Sequence, residues 1–239
     1  MTRTVTAAAV ATADRPGAHV RARQVITPSG GIMRAKFPSR KNGRLVHCEG
    51  LLELDAAYLF EVHPGIESFR EQPATIHYPD GSRVRRYTPD FELTLVSGEQ
   101  IWVEIKPETS MSQPEVQRKL GLVADHLGTT GRPFVVLTDT VLRKEPRRTN
   151  VQKVVARSSR SPLTAESARI ALDRCRAYFP GPLASVAKAL APHGKEPYSL
   201  MQRGLLQFDL SEPFNEDTLV HITEESDDGW IQLSQEHGF

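Results

Sequence analysis

The chain has 239 residues, of which 39% are hydrophobic and 25% are charged, and its formal net charge is +1. This length fits one large domain or two small ones and leaves room for a substantial apolar core. The composition excludes wholesale disorder, and no apolar run reaches the roughly 18 to 20 residues that a membrane-spanning helix needs. The two cysteines, Cys48 and Cys175, lie far apart and build neither a disulfide framework nor a cysteine-rich zinc site, so we expect a cytoplasmic protein.

Charge is unevenly distributed along the chain. Residues 1–44 carry nine Lys or Arg against one acid, whereas residues 45–239 carry 21 basic and 28 acidic residues. Seven basic residues and a single acid fall within residues 143–160, and ten acids stand against two basic residues in residues 195–239. This asymmetry indicates basic segments that meet a polyanion, with solvated charged surface as the alternative.

The N-terminal quarter of the chain divides into an arm and a helix. We interpret residues 1–44 as a basic, flexible arm, because their first part is rich in Ala, Thr and Arg and has no sustained helical pattern. Apolar residues at near-helical spacing then predict an amphipathic helix over residues 48–62. We expect the acids Glu49, Asp55 and Glu61 of this helix to be exposed.

Short segments of strand character follow the helix. Turn signals between them imply antiparallel hairpins, and a helix before the last strand is the βαβ signature of a parallel pair. Residues 45–145 are therefore predicted to form an α/β domain, a mixed sheet flanked by helices. The predicted strands are residues 66–78, 83–87, 90–96, 101–106 and 134–138, and the predicted helix is residues 113–127.

The remaining sequence predicts a basic linker, residues 146–162, and a small C-terminal domain, residues 163–239. Three short apolar-periodic segments followed by two strand-like segments favour a winged-helix-like α+β domain, and a plain helical appendage fits almost as well. The expected helices are residues 165–178, 183–190 and 198–206, and the expected strands are residues 207–210 and 219–222.

Two acids and a lysine are expected to meet at one end of a predicted hairpin. Residues two apart in a strand share a face, so Glu104 and Lys106 point the same way. If this strand pairs with the preceding one across a turn, Asp90 falls opposite residues 105–107. The three side chains then converge.

This combination of side chains suits metal-dependent chemistry. Mg²⁺ is typically held by one or two carboxylates, with waters and substrate phosphates completing its shell. Two carboxylates beside a lysine can bind a metal, activate a water and neutralise charge that builds on a phosphodiester. Glu53 is a candidate third acid, because it lies among leucines, where a carboxylate is costly unless it is paired or metal-bound. The eight histidines show no zinc-ligand spacing.

Four stretches of sequence carry a resemblance to a known family by their content and their order. They are LLELDAAYLFEVHP with Glu53, SFREQPATIHYP, YTPDF with Asp90, and WVEIKP with Glu104 and Lys106. Together they resemble the PD-(D/E)xK restriction-endonuclease-like nucleases. More narrowly, they resemble the TnsA endonuclease subunit of heteromeric transposases, and the resemblance covers about residues 45–139.

The resemblance implies an endonuclease that depends on Mg²⁺, with Mn²⁺ as a substitute, and cuts DNA phosphodiesters at the 5′ ends of a transposon. It implies Glu53, Asp90 and Glu104 as catalytic acids and metal ligands, Lys106 as the catalytic lysine and the Ile105 carbonyl as a further metal ligand. The implied partners are double-stranded transposon-end DNA, a TnsB-like DDE transposase and a TnsC-like ATPase, and no membrane is involved. In such proteins a winged-helix-like domain follows the nuclease domain.

The basic segments are then candidate DNA contacts, since phosphate neutralisation supplies most non-specific affinity. The expected contacts are Arg40, Lys41, Arg44, Arg147 and Arg148. The acidic C-terminal end is a candidate protein-docking surface. Two alternatives stay open: a standalone restriction-like nuclease of the same superfold, and a non-catalytic DNA-binding assembly subunit.

Overall fold

The computed structural model describes residues 22, 34–159, 163–223 and 233. The predicted arm therefore lies outside the described residues except for residue 22 and its end, and so do five of the ten acids of residues 195–239. Within the described residues, every helix is too short or too polar to cross a membrane.

The first part of the chain alternates strands and helices around a central sheet. Its strands are β1 Ala35–Ser39, β2 Arg44–Cys48, β3 Ile66–Glu71, β4 Ile76–Asp80, β5 Arg83–Tyr87, β6 Phe91–Leu95, β7 Gln100–Lys106 and β8 Phe134–Thr138. Its helices are α1 Leu51–Val62, α2 Glu108–Met111, α3 Pro114–Thr129, α4 Asp139–Leu142 and α5 Arg147–Arg157.

The central sheet has the strand order β3-β6-β7-β8. Its first two pairings are antiparallel, and β7 pairs with β8 in parallel across the helix α3. This arrangement confirms the mixed α/β sheet that the sequence predicts. The strand predicted over residues 66–78 is instead two strands, because the backbone leaves the central sheet after Glu71 at Gln72, whose φ of 47° is left-handed. The second of these, β4, pairs with β5 in a separate hairpin.

The sheet is covered on both faces. On one face α1 packs Phe60 against Phe69 and Phe91, with ring centroids 5.6 and 5.4 Å apart. On the other face α3 contributes Leu120 and Val123 to a smaller apolar cluster. Burial of these aromatic and aliphatic side chains is the main source of stability for such a layered domain.

The end of the predicted arm is not flexible. Residues 35–39 form β1, which pairs with β2 in an antiparallel hairpin. Phe37 and Val46 face each other in this hairpin and are fully buried in the main apolar cluster. The prediction of an arm is therefore wrong for residues 35–44, because alternating apolar side chains bury one face of the strand.

The C-terminal part, residues 163–223, is α+β and packs on the first part. It comprises α6 Ala165–Arg174, a 3₁₀ turn at Arg176–Tyr178, β9 Gly181–Pro182, α7 Leu183–Leu190, a second 3₁₀ turn at Ala191–His193, α8 Pro197–Gln202, β10 Leu206–Gln207 and β11 Leu219–Ile222. The three strands form an antiparallel sheet in the order β10-β11-β9.

The basic segment predicted as a linker contains a helix that joins the two parts. Val151 and Val154 of α5 are buried in the main apolar cluster, which also includes Leu200 and Met201 of α8. Asn150, 1% exposed, donates from its side-chain amide to two carbonyls of the C-terminal part, at 3.1 and 2.8 Å. The linker prediction is thus wrong for residues 147–157, whose basic side chains hide an apolar stripe.

Two acids of α1 that were expected to be exposed are buried. Asp55 is 4% exposed and accepts from Arg143 and Arg148, at 2.7 and 2.9 Å. Glu61 is fully buried and accepts from the hydroxyl of Ser39 at 2.7 Å and the amide of Gln202 at 2.9 Å. Polar partners from distant parts of the sequence make this burial tolerable.

Candidate active site

The register of the β6–β7 hairpin brings the predicted site together. Phe91 pairs with Val103, so Asp90 lies level with the next residue, Glu104. The backbone N–H of Ile105 donates to Oδ2 of Asp90 at 2.7 Å and fixes that carboxylate. The three side chains converge as predicted, but the register is shifted, because Asp90 lies level with Glu104 and not with residues 105–107.

Lys106 lies between the two acids. Its Nζ is 2.5 Å from Oε1 of Glu104 and 4.0 Å from Oδ2 of Asp90. The same ammonium donates to the carbonyl of Ile105 at 3.2 Å. The ammonium of Lys106 therefore contacts the Glu104 carboxylate and the Ile105 carbonyl and lies 4.0 Å from the Asp90 carboxylate. These are the other site groups of the β6–β7 hairpin that the resemblance implies.

Tyr87 completes the surroundings of Glu104, which is 3% exposed. The phenol donates to Oε2 of Glu104 at 2.5 Å, so each oxygen of this carboxylate has a partner. The sequence motifs do not single out this residue. Its position in YTPDF, three residues before Asp90, is the one signal that the sequence offers.

Helix α1 brings Glu53 to the same cleft. Its Oε2 accepts from the backbone N–H of Glu49 at 2.7 Å, just before the helix begins. Gln72 in turn donates its side-chain amide to Glu49, and its backbone N–H donates to the carbonyl of Asp90 at 2.9 Å. The left-handed turn at Gln72 thus connects the helix start to the PD motif.

These groups line an open cleft of about 670 Å³. Its walls are built mainly from polar and charged side chains on α1, the β4–β5 hairpin, β7 and α3. They are Glu49, Glu53, Thr75, Arg86, Tyr87, Thr88, Asp90, Glu104, Ile105, Lys106 and Lys119. All the residues that the resemblance implies for catalysis therefore open onto one cavity.

The crowding of carboxylates shifts their protonation. Burial raises the pKa of Glu53 to about 7, and the charges of Glu49 and Glu104 add to the effect. Burial, followed by the charge of Glu104, also raises the pKa of Asp90 well above its ordinary value. For Lys106 the attraction of Glu104 and Asp90 outweighs burial, so its pKa is raised and the side chain stays protonated.

The donor set has the chemistry that Mg²⁺ requires. Carboxylates of Glu53, Asp90 and Glu104 and the carbonyl of Ile105 are hard oxygen ligands that line one cavity. Burial first, and the neighbouring carboxylates second, raise the pKa of Glu53 and of Asp90, and a bound cation would favour the ionised form of both. In the part of the chain that the structure describes, no three acids, histidines or cysteines are grouped as a formed metal site. Glu104 is instead held by the lysine and the tyrosine.

The five basic residues expected to contact DNA all have internal partners. Arg40 donates to the carbonyl of Ser158 at 2.7 Å, and Arg44 forms a two-point ion pair with Glu71 at 3.0 and 2.7 Å. The ammonium of Lys41 donates to three carbonyls at the end of α1 and the start of β3, which matches its three N–H groups.

The pair from α5 behaves in the same way. Arg147 donates to the carbonyl of Val141, and Arg148 binds Asp55 at 2.9 Å and Glu145 at 3.7 Å. The structure therefore gives all five residues an internal structural role, and the expectation that they contact phosphates finds no support in it. Long basic side chains in a charge-rich segment look alike in sequence whether they meet solvent, DNA or a buried acid.

A mixed sheet flanked by helices, with two acids and a lysine at the end of its central hairpin, is a nuclease-like α/β fold. Residues 63–139 match the family described as "TnsA-like endonuclease N terminal". This match confirms the resemblance over residues 63–139. It includes Asp90, Glu104 and Lys106, whereas Glu53 precedes it. A search of the curated proteins found no match.

Proposed function

We propose that the protein is a metal-dependent DNA endonuclease that cuts the 5′ ends of a transposon together with a DDE transposase. The TnsA-like endonuclease domain supports a nuclease role in Tn7-type transposition. The observation that carries the catalytic part is the contact of Lys106 with both Glu104 and Asp90 in a cleft that Glu53 also lines.

In this proposal each residue has a distinct task. Glu53, Asp90, Glu104 and the Ile105 carbonyl would hold Mg²⁺, which when bound would supply an activated water and neutralise phosphate charge. Lys106, protonated between its acids, donates to an oxygen of the phosphodiester and stabilises the charge that develops there. Mn²⁺ has the same ligand preferences and would substitute.

The remaining partners follow from the family. We propose a TnsB-like transposase, which would cut and join the 3′ ends, and a TnsC-like ATPase as partners, with transposon-end DNA as the substrate. The C-terminal part has three helices and a three-stranded sheet, which suits the proposed winged-helix-like domain. Its third helix, α8, is buried against α5 and α1, so any DNA or protein contact of this part uses another surface.

A cleavage assay on transposon-end DNA, with purified transposase and Mg²⁺, tests the proposal. The wild type should cut the 5′ ends, and Asp90→Asn should abolish cutting because it removes a metal-binding charge while keeping the side-chain shape. Glu99→Gln is the matched control, since this acid is exposed at the turn of the same hairpin and should leave cutting intact.

Three outcomes separate the alternatives. Uncut 5′ ends with the wild type, together with equal Mn²⁺ binding by wild type and Asp90→Asn in calorimetry, would indicate a non-catalytic assembly subunit. Cutting that is unchanged in Asp90→Asn would refute the catalytic assignment. Cutting of DNA without the transposase and without transposon ends would favour a standalone nuclease.

A further inference from the structure

The β4–β5 hairpin stands outside the central sheet and beside the candidate active site. Its two strands pair only with each other among the described strands, with His77 opposite Arg86 and Asp80 opposite Arg83. At its base the hydroxyls of Thr75 and Thr88 are 2.8 Å apart, and both residues line the cleft. The hairpin therefore projects from the rim of the site as a two-stranded ribbon.

One face of this ribbon is fixed to the domain. Tyr78 and Tyr87 are buried in the apolar cluster that α3 forms on the sheet. Near the tip, Asp80 accepts from Arg85 of the ribbon at 2.7 Å and from Arg118 of α3. These contacts make the ribbon a rigid extension of the nuclease domain.

Among the described residues, none covers the other face. His77 and Arg86 lie opposite each other on it and are exposed, and Val84, nearer the tip on the same face, is 73% exposed. At the tip, Arg83 is also exposed. A solvated, rigid ribbon face beside an active site is available for a large ligand.

The charge of the ribbon is positive. Residues 76–87 contain three arginines and one acid, Asp80, and that acid is already shared between Arg85 and Arg118. Arg83 and Arg86 form no ion pair with any residue that the structure describes. By contrast, the five basic residues that the sequence predicted as DNA contacts all bind carboxylates or carbonyls within the chain.

The charge of the cleft depends on whether a metal is present. Four carboxylates stand against three basic side chains, a balance of −1, and one divalent cation changes it to +1. The acids are Glu49, Glu53, Asp90 and Glu104, and the basic residues are Arg86, Lys106 and Lys119. Without metal, the carboxylates of the cleft repel a polyanion, so its binding requires positive charge elsewhere. The β4–β5 ribbon is a positively charged element next to these carboxylates.

We propose that the β4–β5 ribbon is a DNA-binding arm, in which Arg86 and Arg83 contact backbone phosphates of the duplex that enters the cleft. This inference rests on the proposed DNA substrate. The two positions are about 10 Å apart along the strand, enough to span more than one nucleotide at a rise of about 3.4 Å each. Because they are three residues apart, they lie on opposite faces of the strand, Arg86 on the face opposite Tyr87 and Arg83 at the tip on the other. A two-stranded ribbon also fits the width of the major groove.

The test measures binding of a short fluorescein-labelled duplex of mixed sequence to the full chain by anisotropy, without divalent metal and over a range of salt. Each lost phosphate contact lowers the slope of log K against log salt by about 1. The double variant Arg83→Gln/Arg86→Gln should therefore bind more weakly, with a slope lower by about 2. Arg174→Gln/Arg176→Gln removes the same charge from exposed positions of the C-terminal part and should bind as the wild type does.

The outcomes separate this inference from the nuclease proposal. Equal slopes for wild type and ribbon variant, an equal loss in the control, or no binding of the duplex by the wild type would overturn the arm. A ribbon-dependent slope supports the arm even if no phosphodiester is cut in the cleavage assay. Thermal melts should show unchanged stability of the ribbon variant, since neither arginine has a described ion pair to lose.

Discussion

Tyr87 shows how a side chain without catalytic chemistry of its own can set the geometry of a site. Its hydroxyl is the only described donor to Oε2 of Glu104. Hydrogen bonds to metal-ligating groups orient them, and their loss typically costs 10- to 100-fold in metal affinity or activity. We expect Tyr87→Phe to weaken Mn²⁺ binding by roughly 10-fold in titration calorimetry.

Tyr78→Phe is the matched control for this change. Tyr78 is a buried neighbour on the same hairpin, its ring lies 6.4 Å from that of Tyr87, and no described residue accepts a hydrogen bond from its hydroxyl. Mn²⁺ binding should match that of the wild type. A Tyr87→Phe protein that binds Mn²⁺ as tightly as the Tyr78→Phe protein would show that the phenol does not position Glu104.

The ionised carboxylate of Glu53, which the proposed metal site needs, is expected to destabilise the metal-free protein. Its pKa is about 7 in the folded protein against an ordinary 4.5, so the folded state binds this proton more tightly than the unfolded state. Ionisation of Glu53 therefore destabilises the metal-free fold progressively as pH rises from about 4.5 to 7, and fully above that. With metal removed by chelator, Glu53→Gln should be more stable than the wild type by roughly 2 kcal/mol at about pH 8.

The advantage should disappear near pH 5, where the carboxyl of Glu53 is protonated in the folded protein. Urea unfolding at the two pH values measures it. The exposed acid Glu67 provides the control, and Glu67→Gln should change stability by less than about 0.5 kcal/mol at either pH. A Glu53→Gln variant that gains nothing at the higher pH would contradict the burial of charge at this position.

The sequence revealed part of the site because a strand has a fixed side-chain period. Asp90, Glu104 and Lys106 could be placed together from alternation and one turn, and the structure has them in contact. The roles of Tyr87 and Gln72 could not be predicted, since they depend on where the second hairpin and a left-handed backbone turn place these side chains in space.

Helix α1 illustrates the same limit at the scale of an element. Its existence follows from apolar spacing, but Asp55 is buried against two arginines that lie 88 and 93 residues further along the chain. Removing one partner of a buried ion pair costs about 3–5 kcal/mol, and less where the remaining charges are partly solvated. The arginines are 42% and 36% exposed, so we expect Asp55→Asn to lower the free energy of unfolding by roughly 2–3 kcal/mol.

Asp173→Asn tests whether burial is the cause. Asp173 also pairs with an arginine, Arg169, but at an i,i+4 spacing on the surface of α6. Such pairs contribute about 0.3–0.5 kcal/mol. Equal losses for the two variants in urea unfolding would contradict the structural role assigned to Asp55.

Elements with a clear apolar pattern were predicted well. Strand β8 and helix α7 have the predicted bounds, because each is a continuous apolar or strongly periodic run. Helix α5 does not follow from the sequence, because seven of its eleven residues are polar or basic and its buried apolar residues form a narrow stripe, Val151 and Val154. These two valines can be recognised as buried only when the C-terminal part that packs on them is known.

At the scale of the whole molecule, part of the basic charge that the described residues carry is neutralised inside the fold. Arg44 of the β1–β2 hairpin forms an ion pair with Glu71, and Arg143 and Arg148 form ion pairs with Asp55. Basic residues in the two charge-rich segments, residues 1–44 and 143–160, therefore include some that bind acids of the same chain. The ribbon arginines Arg83 and Arg86 lie outside these segments and remain available to a polyanion.

The two parts of the chain share one apolar cluster, so we expect them to unfold together. Buried residues of this cluster run from Phe37 in β1 to Val220 in β11, and α8 contributes Met201 with no exposed area. Met201→Ala should lower stability by roughly 2–5 kcal/mol and shift a single calorimetric peak, with protection of α1 and α8 amides lost together in hydrogen exchange. Leu219→Ala, at a half-exposed position, should cost under about 1 kcal/mol. A separate early peak for the C-terminal part would show that the shared cluster does not couple the two parts of the chain. If they do share one core, unfolding of the C-terminal part must expose apolar side chains of the first part and destabilise it.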